Sequence, residues 1–237
     1  MLPSKWEPEI FAAERDYIIV RKPPGVETTS ENGSLELLSP LRRLLGDPGL
    51  RPVHRLDRDT SGAQLFARNP EAEKTFLRLF RERLVEKRYL AFCLGAPRNR
   101  RGTINRNLSE WSGGQRPVRT LRRGGLTAST GYECLALSGW LPGGWRAGFL
   151  SFAPRQGRTH QIRVHASALG YPVLGDDRYG ERAFNKLAKE HLGLTRQALH
   201  AWRLAFEWKG KKMEAICPLP EDMRQAGEKA GLSMEGW

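Results

Sequence analysis

Cysteine is scarce in this chain, and its three copies, Cys93, Cys134 and Cys217, lie far apart with no Cys-x-x-Cys pair. This spacing excludes a disulfide framework and a cysteine-based zinc site, and it suits a reducing compartment. The N-terminus lacks the apolar core of a signal peptide. No apolar run approaches the roughly 20 residues that span a bilayer. These absences predict a cytoplasmic protein that does not bind a membrane.

Acidic residues are also few. The chain has 26 of them against 39 basic residues, which gives a formal net charge of +13, and 29 of the basic residues are arginine. Arginine binds phosphate oxygens bidentately and stacks on bases, so this excess indicates a polyanionic partner. A GC-rich genome would explain arginine in place of lysine, but it would not explain the net excess over acid. A nucleic acid is therefore the favoured partner.

The periodic segments predict both helices and strands. The chain shows no repeat or long linker, so we expect a single domain over residues 1–237. An Asn-Pro-Glu start predicts a helix from Asn69. A second helix is predicted over residues 159–169, with Gly170 as its stop. Strand-like runs cover residues 17–21, 88–94, 128–137, 145–152, 198–208 and 212–217.

The segment 97–125 differs from the rest of the chain in composition. It contains eight arginines, a single acidic residue (Glu110), Trp111 and several glycines, with little periodicity. We expect an exposed excursion from the fold that is either ordered on RNA or mobile without it.

Charged residues are concentrated in residues 53–62, Val-His-Arg-Leu-Asp-Arg-Asp-Thr-Ser-Gly. Asp57 stands between Arg55 and Arg58, and a carboxylate flanked by cations is held ionised. It is therefore available as a nucleophile or base, although a surface ion-pair network would have the same composition. A phosphotransferase that uses Asp57 and Asp59 with magnesium is a third interpretation. It is disfavoured because no apolar strand precedes the motif.

The histidines raise the question of a metal site. His160 and His165 are five residues apart, which is not the four-residue spacing of a helical zinc pair, and no Glu follows His160. Together with His54 and His200, they are expected to make structural hydrogen bonds. We predict no metal.

Residues 54–62 resemble the signature of the RluA-type pseudouridine synthases, and other motifs support the resemblance. The further blocks are KPPG at 22–25, KRYLA at 87–91, GRTHQIRVH at 157–165, GDDRYG at 175–180 and LHAWRL at 199–204. They occur in family order and extend from about residue 17 to about residue 220. Gln156 stands where the family usually has Thr, which puts a local turn contact in doubt but not the chemistry.

The resemblance implies an α+β fold with a mixed, mostly antiparallel β-sheet flanked by helices and a central active-site cleft. It implies an isomerase that converts uridine in structured ribosomal or transfer RNA to pseudouridine by base flipping. The reaction is an internal rearrangement, so no cofactor is implied, and a monomer is the simplest expectation. The chain starts close to the first catalytic strand, so we expect no appended N-terminal RNA-binding domain. The excursion at 97–125 is then a candidate for RNA selection.

Three catalytic residues are implied by the resemblance. Asp57 would be the nucleophile, attacking either the sugar or the base ring. Arg163 would pair with Asp57, keeping it ionised and oriented, which a bidentate arginine does better than lysine. Its alternative is a surface helix arginine. Tyr89 would stack on the target base and assist a late proton transfer; without the Lys-x-Tyr-x-Ala context, core packing would be the better interpretation.

Four further residues are expected to bind the substrate. Arg55 would fill the space left by the flipped base, or else contact a phosphate or form an ion pair with Asp59. Leu204 would line the pocket as an apolar wall or belong to the core. Arg58 and His160, which lie in the family blocks, complete the set.

The main rival from another functional class is a catalytically silent RNA-binding or ribosome-assembly protein on the same scaffold. Binding alone requires none of Asp57, Tyr89 and Arg163, so their joint presence argues for an enzyme.

Overall fold

The structure, a computed structural model, describes residues 7–30, 35–112 and 117–237. The strands in chain order are β1 (Ile10–Ala13), β2 (Tyr17–Lys22), β3 (Arg51–Pro52), β4 (Ser61–Ala67), β5 (Glu86–Leu94), β6 (Arg101–Asn105), β7 (Asn107–Leu108), β8 (Thr120–Leu121), β9 (Ser129–Leu137), β10 (Ala147–Pro154), β11 (Leu199–Trp208) and β12 (Lys211–Ile216). The helices are α1 (Leu38–Leu44), α2 (Pro70–Arg81), α3 (Gln161–Ala168), α4 (Arg182–Leu187) and α5 (Glu221–Lys229), and a π-helical turn covers Ala188–Leu192.

The chain forms two compact units. The first unit comprises Met1–Lys87 and Ala201–Pro218, and the second comprises Arg88–His200 and Leu219–Trp237. In the part of the chain that the structure describes, no helix has the length and apolar character needed to cross a membrane.

In the first unit, the strands are ordered β1-β2-β4-β11-β12, and β3 pairs with β4. Strand β4 is buried along its whole length because helices cover both of its faces. Ala63 and Leu65 pack in a cluster with Phe76 of α2, whereas Phe66 packs with Leu41 of α1. Burial on both faces explains why this strand shows no apolar–polar alternation in the sequence.

Helix α2 begins where its sequence predicts. Asn69 is the N-cap, and its side-chain oxygen accepts a hydrogen bond of 2.8 Å from the backbone N–H of Ala72. Pro70 occupies the first helical position, where its missing N–H costs nothing. The prediction of a helix from Asn69 is confirmed.

In the second unit, the strand order is β5-β10-β9-β6, with antiparallel pairing throughout that series. Helix α3 covers one side of this sheet. Its residues Ile162 and Ala166 share a buried cluster with Ala91, Leu150 and Phe152 of the strands. The α+β class and the mostly antiparallel sheet flanked by helices are confirmed.

For the six strands that the sequence predicted, the ends agree with the structure to within two residues. The strands predicted at 17–21, 88–94, 128–137, 145–152, 198–208 and 212–217 correspond to β2, β5, β9, β10, β11 and β12. Helix α3 is shorter than predicted by two residues at its start and one at its end, and Gly170 follows it with φ +90°.

The arginine-rich segment 97–125 is more regular than predicted. Strand β6 is the outermost strand of its sheet, and β7 and β8 form a separate two-stranded ribbon. Leu108 and Val118 are buried in a cluster with Val164 of α3, which anchors the segment. Strands of two to five residues carry too few side chains to show a period, so the sequence did not reveal them. Residues 113–116 lie outside the described part of the segment.

Candidate active site

Asp57 lies in the loop between β3 and β4, in the first unit. Its carbonyl accepts a 3.0 Å hydrogen bond from the backbone N–H of Thr60, which closes a tight turn. The Asp57 side chain is half-buried, while Leu56 before it is buried and donates its N–H to the Thr28 hydroxyl at 3.3 Å. The turn is thus attached to the core on one side and presents its charged side chains on the other.

The side chain of Lys22 also holds the Asp57 turn in place. Its ammonium is fully buried and donates to the carbonyls of Pro23 (2.9 Å), Val26 (2.6 Å) and Arg58 (2.8 Å). Three charge-assisted hydrogen bonds offset the cost of burying the cation. Lys22 therefore joins the Lys-Pro-Pro-Gly turn to the Asp57 turn. This role was missed in the sequence, although the block at 22–25 marked the position.

His54 supports the middle of β4. Its Nε2 accepts the backbone N–H of Leu65 at 3.0 Å, and its carbonyl accepts the side-chain amide of Gln64 at 2.6 Å. Burial, aided by the charge of Lys87, lowers the pKa of His54 to about 3, so the ring is neutral at physiological pH. The ring also stacks on Phe80 with 4.8 Å between centroids. The predicted structural hydrogen-bonding role of His54 is confirmed.

Gly62 of the Thr-Ser-Gly turn is required by a close approach of two strands. Its φ is +124°, and a Cβ at this position would lie 2.3 Å from the carbonyl oxygen of Ala201 on β11. Only glycine fits here, so the glycine of the signature has a backbone function.

The other candidate residues of the first unit differ in exposure. Arg55 is exposed, and it has no hydrogen-bond or ion-pair partner among the residues that the structure describes. Arg58 is exposed too, with its Nε donating to the Gly25 carbonyl at 3.2 Å. Leu204 is 2% exposed and lies in the buried cluster that contains Leu65.

In the second unit, Tyr89 is half-buried on β5, opposite Phe152 of β10. Its ring packs against the buried cluster that also contains Ile162 of α3. A tyrosine ring packed on one side in this way is held in a fixed orientation.

Arg163 is only 7% exposed, so the surface-arginine alternative is wrong. Its guanidinium forms a bidentate ion pair with Asp176, with Nε–Oδ2 at 2.7 Å and Nη2–Oδ1 at 2.9 Å. Oδ1 of Asp176 also accepts the backbone N–H groups of Arg178 and Tyr179, each at 3.0 Å. Burial opposes ionisation of Asp176, but the hydrogen bonds and charge of Arg163 outweigh it, and the pKa of Asp176 is held below its ordinary value.

Tyr179 extends this array. The Arg163 guanidinium carbon lies 5.1 Å from the centroid of its ring. The Tyr179 hydroxyl lies 2.8 Å from Nδ1 of His160 and accepts the backbone N–H of Val118 at 3.1 Å. Sequence reasoning assigned no role to Asp176 or Tyr179, although the block at 175–180 contains both.

His160 is the N-cap residue of α3 and has φ 57°, in the left-handed region. Such a conformation costs about 1–3 kcal/mol in a residue other than glycine, and it persists where surrounding contacts determine it. Here the ring meets Tyr179 edge-to-face at 5.5 Å and Trp111 edge-to-face at 5.0 Å. His160 and Arg163 are therefore brought together through Tyr179.

Gln156, the departure from the family pattern, makes a loop contact of its own. It is buried, and its side-chain oxygen accepts the backbone N–H of Ser129 at 2.8 Å. Gln161 reinforces the same junction, because its amide donates to the Ser129 carbonyl at 3.0 Å. The glutamine therefore connects the loop before α3 to β9.

His165 is fully buried, and both of its ring nitrogens are engaged. Nδ1 lies 2.9 Å from the Thr130 hydroxyl and Nε2 lies 2.9 Å from the Arg106 carbonyl. This confirms its structural role. Among the described residues, no group of three or more His, Cys, Asp or Glu could hold a metal ion.

The candidate residues fall into two sets. The first unit contains Arg55, Asp57, Arg58 and Leu204, and the second contains Tyr89, His160 and Arg163. The pairing of Arg163 with Asp57 stays a prediction.

Comparison with known proteins identifies the family. A family model described as RNA pseudouridylate synthase matches residues 16–168. The chain is 33% identical over 233 residues to ribosomal large subunit pseudouridine synthase C of Pasteurella multocida, covering 94% of this chain and 68% of that one. It is 34% identical over 224 residues to an uncharacterized RNA pseudouridine synthase of Zymomonas mobilis, covering 92% and 96%. The solved structure of human RNA pseudouridylate synthase domain containing 1 matches with a TM-score of 0.75 at 32% identity, covering 90% of this chain and 83% of that chain.

The chain therefore belongs to the RluA-type family of RNA pseudouridine synthases, and it is an isomerase by class. The family predicted from residues 54–62 and the other blocks is confirmed.

Proposed function

We propose that this enzyme converts specific uridines of ribosomal or transfer RNA to pseudouridine, with Asp57 as the nucleophile and without a cofactor. The observation that carries the proposal is the state of Arg163, which is charged, buried and held bidentately by Asp176. Binding RNA does not by itself require a buried guanidinium held in this way. A reaction that needs an ionised carboxylate gains from such a group, because a fixed guanidinium stabilises the carboxylate.

The rearrangement needs no atoms from outside. The bond between N1 of uracil and C1′ of ribose breaks, the base turns, and a bond from C5 to C1′ forms. The hydrogen on C5 leaves as a proton, and N1 gains one. Asp57 supplies the nucleophile for this sequence, attacking either the sugar or the base ring, and Tyr89 stacks on the base and assists the late proton transfer.

Arg163 uses Nε and Nη2 for Asp176, and a guanidinium has further N–H groups that can serve a second carboxylate. We assign Asp57 as that second carboxylate. In this arrangement Asp176 and Tyr179 are positioning residues, because they act through Arg163.

Base flipping supplies the substrate in reactive form. Extruding a stacked uridine costs about a few kcal/mol, and a side chain that occupies the vacated space offsets part of the cost. Arg55 is exposed on the same turn as Asp57, which suits it to that role. Arg58 and His160 contact the surrounding RNA, and Leu204 supplies an apolar wall.

The net charge and a relative both bear on the RNA target. The net charge of +13 favours a large polyanion. The Pasteurella multocida relative is named for the ribosomal large subunit. We therefore propose ribosomal RNA, with transfer RNA as the other substrate class, for a monomer that acts in the cytoplasm.

The test is tritium release from 23S ribosomal RNA and transfer RNA transcripts labelled at C5 of uridine. Asp57→Asn is expected to abolish release while leaving RNA affinity within a few-fold of wild type. Asp59→Asn, which changes an exposed carboxylate two residues away, is the matched control and is expected to keep turnover. Turnover by Asp57→Asn would disprove the assignment of the nucleophile.

A further inference from the structure

Trp111 is a large aromatic side chain of the arginine-rich segment that keeps much of its surface in solvent. It is 38% exposed, whereas Trp145 in the same unit is 3% exposed. The buried cluster beneath the segment is built from Leu108, Val118, Ala128 and Val164. Trp111 is not a member of that cluster, so core packing does not explain its position.

The exposed ring is nevertheless held in place. The guanidinium carbon of Arg178 lies 5.3 Å from the Trp111 ring centroid, within cation–π range. The His160 ring contacts it at 73°, with 5.0 Å between centroids. A ring supported in this way loses little conformational entropy on binding a ligand.

The ring has one cationic neighbour, Arg178, and a second exposed arginine lies in the adjoining ribbon. Arg178 and Arg119 are both exposed, and the backbone pairing of Arg119 with Ser109 brings Arg119 into the ribbon that leads to Trp111. An aromatic platform among exposed arginines is the combination that binds single-stranded nucleic acid, because arginines contact the phosphates while bases stack on the ring.

The platform is also connected to the catalytic machinery of the second unit. Trp111 touches His160, His160 hydrogen-bonds to Tyr179 at 2.8 Å, and the Tyr179 ring lies under the Arg163 guanidinium. Three side-chain contacts therefore separate Trp111 from the residue proposed to orient the nucleophile. A base held on Trp111 would belong to a nucleotide near the target.

We propose that Trp111, backed by Arg178 and His160, is a stacking platform for an unpaired base that flanks the target uridine in the RNA substrate. This inference rests on the proposed function for the identity of the RNA. The platform gives the enzyme a preference for loops and single strands, because a base paired within a helix cannot present its face to the ring.

The test measures binding of Trp111→Ala and Trp111→Phe to two probes by fluorescence anisotropy. One probe is a short labelled oligouridylate, and the other is a fully paired RNA duplex of the same length. Trp140→Ala is the matched control, because Trp140 is 76% exposed and has Arg146 at 5.8 Å, but it belongs to the hairpin between β9 and β10. Thermal unfolding and circular dichroism verify that each variant is folded.

Trp111→Ala is expected to weaken oligouridylate binding by about tenfold, since stacking on one aromatic ring contributes that order of affinity. Trp111→Phe retains most of the affinity, Trp140→Ala retains all of it, and duplex binding is unchanged.

Three results would overturn the platform: wild-type oligouridylate affinity in Trp111→Ala, an equal loss on the duplex, or a loss in Trp111→Phe as large as in the alanine variant. Failure of the proposed function is a separate result. Suppose that wild type releases no tritium from any RNA, but Trp111→Ala still weakens binding of the oligouridylate and not of the duplex. Trp111 is then a base-stacking site, and the proposed substrate is wrong.

Discussion

The two units hold their candidate catalytic groups by different means. In the first unit, the turn of Asp57 is held through backbone groups, because the Lys22 ammonium binds three main-chain carbonyl oxygens. In the second unit, Arg163 is held by side chains, namely the carboxylate of Asp176 and the ring of Tyr179. The position of the carboxylate therefore depends on the path of the chain, whereas the position of the cation depends on a charge network. Substitutions in the two units are expected to lower turnover and unfolding free energy to different extents.

The largest effect is expected in the second unit. Arg163→Lys keeps the charge but cannot form the bidentate pair with Asp176, so we expect turnover to fall by about 100-fold or more. Arg163→Ala also leaves Asp176 buried without its partner, which is expected to cost about 3–5 kcal/mol of unfolding free energy. Single-turnover tritium release and urea unfolding measure the two quantities. Near-wild-type turnover in Arg163→Lys would show that bidentate geometry is not needed.

An intermediate effect is expected for the anchor of the first unit. Lys22→Met removes a buried donor from three carbonyls, so we expect a loss of about 1–3 kcal/mol in unfolding free energy. We expect turnover to fall about tenfold, because the Asp57 turn is no longer attached. Lys74→Met, on the exposed surface of α2, is the control and should change neither quantity. If Lys22→Met loses stability but keeps full turnover, the position of the Asp57 turn does not depend on the ammonium.

The smallest effect concerns acid stability, and it compares one histidine from each unit. The folded-state pKa of His54 is about 3, below its unfolded value of about 6.5, so its neutral form contributes stability above pH 6.5. That contribution is lost as pH falls from about 6.5 toward 3, by on the order of 1–2 kcal/mol between pH 7 and pH 5. Burial lowers the pKa of His165 as well, so its contribution has the same sign.

Urea unfolding midpoints at pH 7 and pH 5 measure this loss. His54→Gln is expected to flatten the pH dependence, and His165→Gln gives the matching measurement for the second unit. An unchanged slope in His54→Gln would mean that His54 already takes up its proton in the folded state.

Short-range signals in the sequence determined much of the fold. The cap at Asn69 acts over three residues, so the start of α2 could be predicted from a few letters. The strands β9, β10 and β11 are eight to ten residues long and rich in apolar side chains, which made them recognisable. Strands β7 and β8, with two residues each, have no such signal and form because the buried Leu108 and Val118 anchor them.

For the candidate active site too, the sequence showed which residues matter but not which distant residues they contact. The motifs located Asp57, Tyr89 and Arg163, because each is surrounded by characteristic neighbours in the sequence. They did not show that Arg163 is buried against Asp176, since those residues are 13 positions apart and meet only when the chain folds back. A surface position on the helix was the alternative for Arg163, but six of the eight residues of α3 are buried, Arg163 among them.

The sequence by itself therefore determined the family, the order of the blocks, the types of the two helices and six strands that it predicted, and the identity of the candidate catalytic residues. These depend on residue type and on neighbours a few positions away. The tertiary structure alone decided which groups hold them. Lys22 reaches the carbonyl of Arg58 across 36 positions, and Trp111 contacts His160 although the two are 49 positions apart. Such contacts depend on where distant parts of the chain come together, which no local pattern encodes.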